Sequence, residues 1–427
     1  MSSNVIPLPR PKSLRTSSDA LGFYVRVGHN DHRELLHLLT SGERGIFGFV
    51  IGANNIERHR ELITEARRRD IDVILDPKTQ QMAFPQAMTE SLSSLPWGLE
   101  RHHNVADFDG AEGKTRAAQI VEFAAIHGFT QILTPSHFLS SAADPWLKRD
   151  IAALNWTAER ITENGSDIGL IYSLALPIKA LRQPAERQAL LAAMTDARFD
   201  ALWLKTEHFG DHATGEKAAA YIDACREFHK IGTPIIGDSV GGLPGLGALA
   251  FGALGGIAHG VTLQQNFNTS NWRQPRGPQR GQTGWRVYVP QLDMLLKPLV
   301  AEAPLSASPR IKSICGCRDT HCCPHGVQDM IKRPARHAIY QRARELERLS
   351  AAPQNLRAEQ YLNEHVRRVS DIVARIATVN GLDEKLQESL RKKQGEVSRL
   401  RETFGHLATV SASTYAATPT RRNHGNG

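Results

Sequence analysis

The chain has 427 residues, 41% hydrophobic and 22% charged, with a net charge of +8. This is ordinary for a soluble globular protein, and the length allows one large domain plus an appendage. It excludes a membrane span and a secretory leader: no apolar stretch is long and unbroken enough to cross a bilayer, and residues 1–20 lack an apolar core. A cytoplasmic protein is expected.

In chain order, a disordered arm over residues 1–19 precedes a body of short apolar runs alternating with amphipathic segments. The runs are Phe23–Val27, Ile46–Ile51, Asp72–Asp76, Gln131–Thr134, Ile168–Leu176, Ala201–Lys205, Pro234–Asp238 and Gly256–Val261. Helix-like stretches such as Asn55–Arg69, Lys114–His127 and Pro145–Glu163 lie between them. Short buried strands alternating with helices predict parallel βαβ units, and eight of them fit a (β/α)₈ TIM-type barrel over residues 20–300. An open doubly wound sheet is the alternative, though no Gly-x-Gly-x-x-Gly follows the first strand. Residues 301–350 are expected to form a cysteine-rich metal-binding segment and helix, 351–408 a helical C-terminal region, and 409–427 a disordered tail. Leu386, Leu390, Val397, Leu400 and Phe404 repeat at helical spacing, a seam suited to a hairpin or a homo-oligomer. Residues 331–427 carry 18 Lys and Arg against 10 Asp and Glu, so the whole net charge lies there. These basic helices either contact nucleic acid or form a solvated face.

In a barrel, chemistry gathers at the C-terminal ends of the strands. Asp76 and Asp238 are the first candidates, because two carboxylates in one mouth can divide into nucleophile and general acid–base. Lys205, among Leu202, Trp203 and Leu204, is a candidate Schiff-base nucleophile or an ion-pair partner of Glu207 or Asp238. Glu207 alternates with it on the same strand face. His137 and His259 end other strands and His208 follows Glu207; each suits acid–base work, substrate binding or metal ligation, or is a structural histidine. The glycine-rich run from Gly241 and Gly242 feeds a helix and could hold a phosphate, or serve close packing alone.

Four of five cysteines lie within nine residues: Cys315, Cys317, Cys322 and Cys323. Such clustering suits a tetrahedral structural Zn²⁺ site, with an iron–sulfur cluster, a disulfide or a metal-free loop as alternatives. Cys315, Cys317 and one of the vicinal pair would supply three ligands. The fourth would be the other cysteine, His321, His325 or His337.

This layout resembles the tRNA-guanine transglycosylases: a barrel-like body, a CxC-type cluster after the last strand, helices beyond it, and Asp76 in the early strand Val73-Ile-Leu-Asp76. The resemblance implies base exchange in nucleic acid, with paired aspartates and a structural zinc. The sequence departs from the family pattern at two places. Four residues separate Cys317 from Cys322, and the eighth run reads Gly256-Ile-Ala-His259, which leaves Asp238 of the seventh as the carboxylate nucleophile. The leading expectation is a transglycosylase-like enzyme with Asp76 as general acid–base or base-recognising group. The alternatives are a Schiff-base lyase or aldolase acting on a small phosphorylated substrate through Lys205, and a non-catalytic barrel that binds nucleic acid or protein.

Overall fold

The computed structural model describes residues 20–43, 45–274, 284–410 and 415–420. Eight parallel strands close into a barrel in sequence order: β1 (Gly22–Arg26), β2 (Gly48–Gly52), β3 (Asp72–Asp76), β4 (Gln131–Leu133), β5 (Gly169–Pro177), β6 (Ala201–Glu207), β7 (Ile235–Asp238) and β8 (Gly256–Gly260). β8 pairs with β1, setting Gly22 opposite Gly256 and Arg26 opposite Gly260. The barrel is therefore (β/α)₈ rather than an open sheet. Its strands are buried on both faces, as parallel strands wrapped by helices must be.

Helices follow the strands: α1 (His32–Thr40), α2 (Ile56–Arg68), α3 (Gly110–Ile126), α4 (Pro145–Glu163), α5 (Pro184–Met194), α6 (Glu216–Phe228) and α7 (Gly242–Ala250). Each has a local cause. α2 buries Ile56, His59, Leu62, Ile63 and Ala66 at three- and four-residue spacing. α4 starts with Pro145 in its first turn, and the Asp144 side chain accepts a hydrogen bond from Trp146 N. α7 is buried along its whole length.

The layer after β8 arrives late in the chain. α8 (Pro334–Ala351) packs against α1 and β1, the place of an eighth ring helix. The antiparallel hairpin β9 (Val287–Val289) and β10 (Met294–Leu296) and the cysteine segment intervene. A boundary at residue 300 thus cuts through the helical layer. α9 (Arg368–Ala377) and α10 (Glu384–Val410) follow, and α10 packs on α9 and α6. The seam from Leu386 to Phe404 is buried inside this chain. Lys393, in the middle of it, is buried with Asp293 at 3.4 Å and Glu396 at 3.3 Å.

One residue per strand fills the barrel: Tyr24, Val50, Ile74, Leu133, Ile171, Trp203, Ile236 and Ala258. Two residues further along each strand, on the same inward side, stand Arg26, Asp76, Ser173, Lys205 and Asp238. The apolar layer is the floor of the mouth and the polar layer its contents.

At the opposite end, residues 415–420, placed by the sequence in a disordered tail, lie against the barrel. Ala416 N donates to Gly252 O at 2.8 Å, and Thr418 is buried. A Cβ on Gly255 would strike the carbonyl of Ala417, and one on Gly22 would lie 2.7 Å from Pro419. The arm 1–19, residues 411–414 and the tail from 421 lie outside the described residues. Removing residues 411–427 should cost about 2 kcal/mol, the scale of uncovering one or two buried side chains. The check is the denaturant midpoint, which should fall with little change in slope.

Candidate active site and metal centre

The mouth is organised by Arg26, which ends β1. Its NH1 donates to Asp76 Oδ2 at 2.7 Å, and its Nε and NH2 hold both oxygens of Asp238. Lys78 Nζ lies 3.0 Å from Asp76 Oδ2, and Lys205 Nζ lies 3.2 Å from Asp238 Oδ2. Lys205 also donates to Gln80 Oε1 at 3.3 Å, while Gln80 Nε2 donates to Ser136 and Ser173. Gly52 makes room here, since a Cβ there would lie 2.5 Å from Lys78 Cε. The free space among these groups is about 10 Å³, room for about one water molecule.

Electrostatics follow from burial and pairing. Burial opposes ionisation of Asp76, but Lys78, Arg26 and Lys205 outweigh it and hold the carboxyl far below its ordinary range. Burial likewise opposes ionisation of Asp238, and Arg26 and Lys205 again prevail. Both are carboxylates at neutral pH, so Asp76 is unsuited to donate a proton. Lys205 moves the other way. Burial and the neighbouring Arg26 bring it down to about 8, against the opposing pull of Asp238 and Asp76. The group poised near neutral pH is the lysine.

A roof of rings covers this layer. Phe84, Phe138, Phe267 and Trp272 pack together, with Arg273 over Phe84 and Phe138 and Lys205 Nζ 5.4 Å from the Phe267 ring. Glu207 fastens the roof: it accepts from Thr269 N at 2.8 Å and from the Thr269 hydroxyl. Backbone strain gathers here too. Lys78, His208, Ser239 and Gln264, just after β3, β6, β7 and β8, all have φ between +58° and +65°. Non-glycine residues in this region mark sites where the surroundings impose the geometry.

Asp76, Asp238 and Lys205 are therefore brought together as the strand ends predict, and Glu207 is tied into the roof. His137 and His259 are not in the mouth. His137 turns outward, with Nδ1 2.7 Å from Asp150 of α4 and its ring stacked on Trp146, and burial lowers its pKa to about 3. His259 follows inward-facing Ala258, so strand alternation points it out against Phe23. Gly241 and Gly242 do start a helix, but the Asp293 carboxylate accepts from Leu243 N at 3.0 Å and fills the anion position. Arg26, Lys78, Gln80, Ser136 and Ser173 were not singled out. Arg26 carried the same signal as Lys205, a charged residue ending an apolar strand.

Beyond the barrel, Cys317, Cys322, Cys323 and His337 place their ligand atoms within 4.8 Å of one another. Cys322 Sγ is 3.6 Å from Cys323 Sγ, and the two sulfurs lie 3.3 and 3.4 Å from His337 Nδ1. A tetrahedral metal with bonds of about 2.0–2.3 Å has ligand–ligand edges of about 3.3–3.8 Å, so these donors fit. His337 Nε2 lies 3.0 Å from Tyr288 O; donating there, it leaves Nδ1 free to ligate. Hydrogen bonds from Cys322 and Cys323 hold the Cys317 thiol well below its ordinary range, a thiolate in waiting. The loop is shaped by Asp319 Oδ1, which accepts from His321 N at 2.9 Å and Cys322 N at 3.1 Å.

Cys315 falls outside this set. It is the last residue of the helix Pro309–Cys315, buried in the core, and burial pushes its thiol up to about 12. The extended Gly316 then sends Cys317 elsewhere. His321 and His325 are exposed, and His325 pairs with Asp329. All five cysteines are free.

No protein-family model matches the chain, and no curated protein does. Among solved structures, the carboxyl transferase domain of Rhizobium etli pyruvate carboxylase is 11% identical at TM-score 0.39, covering 93% of this chain and 63% of that one. A 2,3-dimethylmalate lyase of the PEP mutase/isocitrate lyase superfamily is 11% identical at TM-score 0.32, covering 56% and 75%. A Penicillium canescens endo-1,4-beta-xylanase is 11% identical at TM-score 0.35, covering 55% and 81%. The chain thus spans under two thirds of the first of these.

Two outcomes are expected. Arg26→Met leaves two buried carboxylates without their shared partner and should cost about 3–5 kcal/mol in chemical denaturation. Because both carboxyl pKa values lie below 3.8, their stabilisation is present at neutral pH and lost only as the solution falls below about pH 4. In Arg26→Met that acid loss should shrink. Metal analysis should find about one ion per chain, lost in Cys323→Ser and kept in Cys315→Ser.

Proposed function

We infer that the protein is an enzyme that cleaves and re-forms a glycosidic bond to a nucleobase in the barrel mouth. The observation that carries this is Asp238, ionised by Arg26, in contact with Lys205 beneath four aromatic rings. A planar base suits stacking against Phe138, Phe267 and Trp272, with Gln80 and Asp76 offering acceptors to its edge. Entry requires the Phe267–Trp272 segment to lift, because the mouth holds about one water as it stands.

The carboxylate of Asp238 attacks the anomeric carbon and the bond to the base breaks, its electrons leaving with the base. Lys205, as the ammonium, passes a proton to the leaving base nitrogen. The resulting amine takes a proton from the incoming base, which attacks the anomeric carbon and frees Asp238. Here Lys205 replaces Asp76 as acid–base group, since Asp76 is held ionised. The Cys317, Cys322, Cys323 and His337 centre suits zinc: four ligands close it, so its part is to pin the fold.

The lowered pKa of Lys205 also favours a second reading, Schiff-base lyase chemistry on a small carbonyl substrate. Nothing at Gly241–Gly242 favours a phosphate on that substrate, because Asp293 holds the position. The pH profile separates the two. Base exchange needs the ammonium, so kcat/KM should fall above about pH 8; a Schiff base needs the amine, so kcat/KM should rise towards that pH. Lys205→Met should lower kcat by about 10²–10⁴-fold in either case. Borohydride trapping of Lys205 with a carbonyl compound would sink base exchange. A covalent sugar adduct at Asp238, absent from Asp238→Asn, would support it.

A further inference from the structure

Lys205 meets a neutral acceptor as well as Asp238: the side-chain oxygen of Gln80, at 3.3 Å. Gln80 is buried, the second residue of the short helix Thr79–Met82 that follows Lys78. Its NH2 group carries two hydrogens, and both have acceptors. Nε2 donates to Ser136 Oγ at 3.1 Å and to Ser173 Oγ at 2.9 Å. The serines are themselves fixed. Ser173 belongs to β5, and its N–H donates to Thr134 Oγ1 at 3.2 Å. Ser136 N donates to Thr79 Oγ1 at 3.0 Å, and that hydroxyl donates back to Ser136 O at 2.8 Å. Thr79, Thr134, Ser136 and Ser173 are buried too.

An amide in this setting has one orientation. Turned over, it would set its NH2 against the ammonium of Lys205, donor against donor. Lys205 thus has two of its three N–H directions assigned, one to Asp238 Oδ2 at 3.2 Å and one to Gln80 Oε1. When the ammonium gives up a proton, those two bonds can persist, and the lone pair takes the third direction. Gln80, Ser136, Ser173 and Lys205 all line the small space within the mouth. The charges around Lys205 oppose one another. Arg26 and Lys78 weigh against its proton, Asp238 and Asp76 favour it, and Glu207, two residues along β6, is turned to Thr269. Into that balance Gln80 brings a hydrogen bond without a charge, where a carboxylate would hold the proton on the lysine.

We propose that Gln80, fixed by Ser136 and Ser173, is the positioning residue of Lys205: it aims the amine and, being neutral, lets the proton leave. The inference rests on Lys205 as the proton-exchanging group of the mouth. It is the same for base exchange and for a Schiff base.

The test is an NMR titration of the full chain carrying carbon-13 at lysine Cε, a readout that needs no substrate. The Lys205 signal is the one lost in Lys205→Met. In the wild type it should titrate near pH 8. Gln80→Glu keeps the shape and sets a carboxylate at the ammonium, so the midpoint should rise by about one pH unit, a tenfold gain in proton affinity. Gln80→Met removes the acceptor and should lower the midpoint. Gln81→Glu adds the same charge one residue on, where the side chain instead reaches Ala87 O, and should leave it alone. Thermal melting checks that each variant is folded. An unchanged midpoint in folded Gln80→Glu or Gln80→Met, or an equal rise in Gln81→Glu, would overturn the proposal. So would a wild-type midpoint at the ordinary lysine value. Failure of the mouth chemistry looks different: the midpoints would move as stated while Lys205→Met left any activity unchanged.

Discussion

Arg26 is the interaction on which the strand-end mouth depends. One guanidinium, buried at the end of β1, binds carboxylates from β3 and β7 and so ties distant parts of the ring. A fork of fixed donors can do this and an ammonium cannot, because only the fork reaches two carboxylates in defined directions. The arrangement keeps both aspartates charged in a place that would otherwise neutralise them. It also leaves Lys205 as the group free to exchange a proton near neutral pH. Removing either carboxylate would change the lysine as well as the arginine, so effects of single variants here should not add.

The Cys317, Cys322, Cys323 and His337 cluster, which could hold a metal, plays a similar joining role for the other half of the molecule. Its ligands come from the cysteine loop and from His337 on α8, which in turn bonds the carbonyl of Tyr288 in β9. α8 is also the helix that covers β1 and meets α1. The centre therefore fixes the late-arriving member of the ring to the hairpin that follows β8.

Much of the barrel was legible in the sequence. β3 lies over the apolar run read for it, and the other strands begin and end within two residues of theirs, because parallel strands must be apolar on both faces. Asp76, Lys205 and Asp238 were legible for the same reason: a charge ending such a run has nowhere to point but the mouth. What defeated the reading was geometry finer than a residue type. His259 differs from inward-facing Ala258 by one position and faces away. Cys315 and Cys317 are separated by a single glycine, yet a helix end sends one into the core and the other to the metal. Glu207 points as expected, but its partner Thr269 lies far along the chain, and no local pattern announces such a pairing. The Asp293 carboxylate at α7 was hidden similarly.

The covering of the barrel's lower end by residues 415–420 has a consequence for how the molecule is made. β1 leaves the ribosome long before Pro419, which lies against Gly22 at its start and is among the last residues described. During synthesis that end of the barrel stays open until almost the entire described chain has emerged. Between the emergence of β8, which closes the ring, and that of residues 415–420, the nascent protein would present an uncovered barrel end, a surface on which chaperones act.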